Sequence, residues 1–98
     1  MYQVIWSDVA EEAYEQTWNY ILQNWSMDTV FKLEQQVQDL LTNLSLNHRM
    51  CSPLNEYPGL RKCVINKHNS LIYRIDDAEQ AIRIMAFINN RMNHPFFN

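Results

Sequence analysis

The sequence predicts an α+β domain of order β-α-α-β-β-β, a helical hairpin packed on a largely antiparallel four-stranded sheet. Three observations predict it. Apolar residues step by three and four from about residue 9 to residue 44, the period of two amphipathic helices. They alternate at period two in residues 2–6 and 70–75, the signature of half-buried strands. Only one Gly and three Pro occur in 98 residues, and 47% of residues are apolar, so regular elements and one core should dominate. Residues 1–98 are expected to form a single domain.

Tyr2, Val4 and Trp6 face one way in a short opening strand. Ser7-Asp8 is a helix-start signal. Asp8 with Glu11 fits a reciprocal capping pattern, and Ser7 is the alternative cap. Val9, Ala10, Ala13, Tyr14, Thr17, Trp18, Ile21, Leu22 and Trp25 form one broad face of a helix over about 8–24, and the stripe Tyr14, Trp18, Trp25 is expected in the core. Ser26-Met27-Asp28 interrupts that helix and caps a second, in which Val30, Leu33, Val37, Leu40 or Leu41, and Leu44 share a face. So short a connection implies an antiparallel hairpin.

Residues 45–60 read as one long loop with a Pro58-Gly59 turn. Arg61–Ile65, Ser70–Ile75 and Gln80–Ile88 read as strands, joined by Asn66–Asn69 and Asp76–Glu79. An exposed tail follows, with Arg91, Met92, His94, Phe96 and Phe97.

Charge is sorted along the chain. Residues 1–45 hold seven acids and one base, Lys32; residues 46–98 hold four acids and seven bases. Such sorting suggests separate surfaces for separate partners, although the net charge of −3 argues against a general nucleic-acid binder. Cys51 and Cys63 show neither metal-site spacing nor a disulfide framework, so two reduced thiols are expected, with Cys63 a small packed residue. Neither metal nor cofactor is expected. The N-terminus lacks a secretory pattern and no apolar run spans a membrane, which points to a cytoplasmic protein.

Several motifs in order carry a resemblance. They are Val4-Ile5-Trp6-Ser7-Asp8-Val9-Ala10, Tyr20-Ile21, Trp25, Pro58-Gly59-Leu60-Arg61, His68-Asn69-Ser70-Leu71-Ile72-Tyr73-Arg74 and Ile88-Asn89-Asn90-Arg91. In this the chain resembles the ParE/RelE superfamily of bacterial toxins of type II toxin–antitoxin (plasmid stabilisation) systems, over nearly its whole length. The resemblance implies a cognate antitoxin that wraps and neutralises the toxin. It also implies one of two targets: DNA gyrase for ParE-like members, or mRNA in the ribosome for RelE-like members.

A ribonuclease needs cations around the scissile phosphate and a proton donor or acceptor near the 2′-oxygen. Arg61 and Arg91 match the first and last basic positions of the RelE-like pattern. Cys63 stands where a second Lys belongs and Ser70 where an Arg belongs, and no Tyr follows Arg91. His68 and His94 offer acid–base groups by residue type alone. A net-acidic chain also suits ribosome entry poorly, since phosphate contacts supply much of such binding. The expectation is therefore a gyrase-binding toxin rather than an enzyme. The carried-over target- or antitoxin-binding residues are Arg61, Arg74, Arg83, Arg91, His94, Phe96 and Phe97, with Arg61 and Arg91 favoured. Arg74 and Arg83 have cross-strand pairing as their structural alternative, and Lys62 and Lys67 are expected to solvate a sheet edge. The alternatives are a RelE-like ribosome-dependent endoribonuclease with a degenerate site, and an inactive antitoxin-binding module.

Overall fold

The computed structural model describes residues 1–90; Arg91, Met92, His94, Phe96 and Phe97 lie outside the described residues. The elements are β1 (Gln3–Trp6), α1 (Asp8–Asn24), α2 (Met27–Leu46), β2 (Ser52–Pro53), β3 (Leu60–Asn66), β4 (Asn69–Asp76) and β5 (Ala81–Asn89). The α+β class agrees with the sequence reading, and the six expected elements occur in the expected order. The sheet has five strands rather than four, because two residues of the expected loop, Ser52 and Pro53, pair with Lys62 and Arg61. Strand order is β1-β5-β4-β3-β2, antiparallel except for β1, which runs parallel to β5.

Ser7, not Asp8, caps α1: its Oγ accepts the Ala10 N–H at 3.1 Å. Ser26 does the same for α2, accepting from Thr29 N–H at 3.3 Å. Each cap satisfies an amide that the first helical turn leaves without a partner. The helices lay Ala10, Thr17 and Ile21 of α1 and Val30, Leu33, Val37, Leu41 and Leu44 of α2 against the sheet. The sheet answers with Cys63, Leu71, Tyr73, Ile82, Ile84 and Phe87. Val4 and Trp6 from β1, and Tyr2 just before it, pack on the same core.

The edges of the α1 face depart from expectation. Val9 is 68% exposed and Trp25 52% exposed. Tyr14 and Trp18 do pack on the core. Trp25 does not, because α1 stops at Asn24: its backbone N–H closes the last turn on Ile21 O at 2.8 Å, and its ring rests 5.8 Å from that of Tyr20. Once the helix ends, the 3.6-residue period no longer turns a side chain toward the sheet.

A bulge in β5 decides which residues face the helices. Ile72 pairs with Ala86 and Tyr73 with Ile84, so Met85 has no opposite residue. That extra residue shifts the parity, and Ile84 and Phe87 both reach the helical core though they are three apart. Phe87 lies 4.7 Å from Tyr14 and 6.4 Å from Trp6, ring centre to ring centre.

The cysteines are the largest correction. Cys51 and Cys63 form a disulfide with Cα atoms 5.2 Å apart, so neither is the reduced thiol expected from spacing alone. Cys63 is packed, as expected, at 2% exposure. Sequence separation says nothing of spatial approach here: β2 lies beside β3, and Ser52 is the partner of Lys62. No helix among the described residues is long and apolar enough to cross a membrane.

Candidate functional site

The helices cover one face of the sheet, and pairing register assigns the side chains of the other. Leu60 stands opposite Arg74, and Arg74 opposite Arg83, with Ile5 next in the same row. In the adjoining row Lys62 faces Ile72 and Ile72 faces Ala86; in the next, Val64 faces Ser70 and Ser70 faces Ile88. Ile72, Ala86 and Ile88 form a small second core, 0%, 2% and 4% exposed, against which Leu54 and Leu60 pack. The open face is thus an apolar centre bordered by Arg74, Arg83 and Lys62.

The two arginines behave differently. Arg83 Nε donates to Asp76 Oδ2 at 2.8 Å, the diagonal contact available on one face of an antiparallel pair. Asp76 Oδ1 also accepts the Glu79 N–H at 3.1 Å. The Arg83 bond, then the Glu79 amide, hold the Asp76 carboxyl below its ordinary value, with a smaller pull from Arg74. Arg74 is exposed and makes no ion pair among the described residues, so its charge is available to a partner. Lys62 is likewise exposed, on the open face beside Ile72 rather than merely at an edge.

Arg61 lies elsewhere. Its strand neighbours Leu60 and Lys62 point to the open face, while Arg61 shares the helix-side parity of Cys63 and stands opposite Tyr73. Its Nη1 donates to Cys51 O at 2.7 Å and to Arg49 O at 3.3 Å. Tyr73 Oη donates to His48 O at 2.6 Å, and burial pushes that phenol up. Both side chains hold the backbone of the segment after α2. Cys63 and Ser70, which stand at the expected basic positions, are both buried. His68 and Lys67 occupy the β3–β4 turn, where the Asn66 side chain accepts the His68 N–H at 2.9 Å. No cluster of three or more His, Cys, Asp or Glu able to hold a metal occurs among the described residues.

The structure therefore brings Arg74 and Arg83 together and sets Arg61 apart; Arg91, His94, Phe96 and Phe97 lie outside the described residues. Sequence reasoning missed the Lys62 contribution and the apolar centre around Ile72. Alternation of Lys62 with Arg61 was the available signal for the first. The bulge at Met85 hid the second.

A helical hairpin on one face, a bulged sheet with a cationic open face, and parallel β1–β5 pairing define the toxin fold of the ParE/RelE type. The model of that family described as "ParE toxin of type II toxin-antitoxin system, parDE" matches residues 4–94, and the chain belongs to this family. Among solved structures it is similar to the chromosomal ParDE toxin–antitoxin system of P. aeruginosa, at TM-score 0.73 and 15% identity over 91% of this chain and 96% of that one. It is similar to the YoeB/ParE toxin of Agrobacterium tumefaciens, at TM-score 0.69 and 14% identity over 89% and 96%. The isolated E. coli RelE toxin aligns at TM-score 0.66 and 11% identity over 98% and 92%. At such identities the likeness is one of fold. No curated protein matches the chain by sequence.

Proposed function

We propose that this toxin is held inactive by a cognate antitoxin and acts in the cytoplasm by binding and poisoning DNA gyrase, without catalysis of its own. The observation that carries the choice is the makeup of the open face. It presents Arg74, Arg83 and Lys62 around an apolar centre, with Arg83 already paired to Asp76. Cations spread around a centre that Leu54 and Leu60 already cover suit a protein surface bearing acids better than a scissile phosphate, which needs several converging cations. Cys63 and Ser70 replace two expected phosphate-binding residues with small buried ones. The antitoxin reading rests on family membership and on the P. aeruginosa relative, which is a ParDE system.

The test is a supercoiling assay with purified gyrase and excess toxin. Supercoiling should stall and cleaved DNA should be trapped, with relief on adding antitoxin. Undiminished supercoiling would overturn the gyrase target. Codon-linked mRNA cuts on induction would instead favour the RelE-like alternative.

A further inference from the structure

The segment between α2 and β3 is fastened by more than the pairing of β2 with β3. Tyr73 Oη holds His48 O, Arg61 Nη1 holds Cys51 O and Arg49 O, and the Cys51–Cys63 disulfide spans 12 residues. The same segment runs on into Leu54 and Leu60, which cover Ile72, Ala86 and Ile88 on the open face. Of these fastenings only the disulfide can be undone by covalent chemistry. The two sulfurs are unequal. Cys63 is 2% exposed in the helical core, whereas Cys51 is half-buried at the core's margin. Arg49, two residues before Cys51, and Arg61, whose Nη1 holds the Cys51 carbonyl, line a pocket of about 190 Å³ with Pro53, Leu60 and Asp77, whose carboxylate pairs with Arg49 at 3.8 Å. Two guanidiniums against one carboxylate leave a cationic balance near the half-buried Cys51, which suits an incoming thiol that carries carboxylates.

We propose that Cys51 is a site of reversible thiol–disulfide exchange with an anionic low-molecular-weight thiol of the glutathione class, and that reduction loosens the 47–60 cover of the open face. The thiolate attacks Cys51 Sγ, forming a mixed disulfide there and releasing Cys63 as thiolate. A second thiolate attacks the small-molecule sulfur of the mixed disulfide, releasing Cys51 as thiolate and the oxidised small-molecule disulfide. The pair thereby gains two electrons and, on protonation, two protons; two thiols lose them. Disulfides in reducing compartments are characteristically transient or redox-sensing, which gives the exchange a setting if the toxin acts on gyrase. Only that setting rests on the proposed function; the exchange itself does not.

The test uses the full chain in glutathione buffers stepped from oxidised to reduced, quenched in acid, alkylated and weighed by mass spectrometry. A reversible two-electron titration is expected. Cys63→Ser should collect a glutathione adduct on Cys51 at least about ten-fold faster than Cys51→Ser collects one on Cys63. In the reduced wild-type chain the Leu54 amide, bonded to Leu60 O at 2.9 Å, should exchange hydrogen about ten-fold faster or more, while Leu71 and Tyr73 keep their protection. A pair that stays oxidised across all buffers until the chain unfolds would overturn the proposal. So would equal adduct rates, or unchanged exchange at Leu54. The wild-type titration decides the matter even if a single-cysteine variant fails to fold, and it stands apart from any failure of the gyrase assay.

Discussion

The two faces of this sheet are built from the same strands and do different work. The helix-side face is closed by large side chains from β3, β4 and β5 under the hairpin, with Tyr73, Phe87, Leu71, Ile82 and Ile84 all fully buried. The open face has only Ile72, Ala86 and Ile88 at its centre, sealed by Leu54 and Leu60 and bordered by charge. Adjacent residues of one strand thus point to the core side and to the open face alternately: Arg74 follows Tyr73, and Lys62 follows Arg61. The comparison teaches that a basic residue in this fold is read by its parity. Arg61 and Arg74 both lie in strands, yet one holds backbone carbonyls and the other offers its charge outward.

That contrast can be broken at several places. The largest effect is expected on the closed face, where Phe87→Ala would empty a site between Tyr14 and Trp6 and cost about 3–5 kcal/mol. Chemical denaturation would measure it, and a loss under 1 kcal/mol would show that the aromatic cluster is loosely packed. Next comes the staple between α2 and β3. Replacing both Cys51 and Cys63 by Ser frees a 12-residue span and should lower stability by about 2–3 kcal/mol relative to the oxidised chain. Reduced wild type should fall to nearly the same level.

On the open face the expected pattern reverses. Arg74→Glu should leave the melting temperature nearly unchanged and weaken antitoxin or target binding by about 1–3 kcal/mol in a titration. Arg61→Ala should do the opposite, lowering stability through the lost carbonyl contacts. If both variants lose binding equally at equal stability, parity is not the rule that sorts them.

The smallest effect concerns pH. The Asp76 carboxyl is held low in the folded chain by Arg83 and the Glu79 amide, so its contribution is fully present above the ordinary value of 3.8 and is lost as pH falls through the folded value. Asp76→Asn should therefore melt slightly below wild type at neutral pH, and the gap should close as the solution is acidified below about pH 4. A gap that stays constant with pH would show that the carboxylate's charge contributes nothing there.

Much of this fold was legible in the sequence because it is local. The three- and four-residue steps from Ala10 to Leu44 placed both helices, and Ser7 and Ser26 were available as caps. Alternation in residues 70–75 placed β4 almost to the residue. Residues 81–88 were legible as a strand but not as faces, since the extra residue at Met85 reverses parity partway along. The site was less legible still. Arg74, Arg83 and Arg61 were all candidates, but composition cannot say which share a surface.

By itself, then, the sequence determined both helices, four of the strands, their order, the α+β class and the placing of basic charge in the second half. Period and capping are short-range properties, written in residues three or four apart. Only the tertiary structure decided what is joined across distance. It made Ser52–Pro53 a fifth strand, paired Cys51 with Cys63, turned Trp25 outward and set Arg61 on the helix side with Arg74 and Arg83 opposite. Each of these depends on strand register and on where a helix stops against the sheet, and the physical reason is packing: side chains far apart in sequence compete for the same core volume.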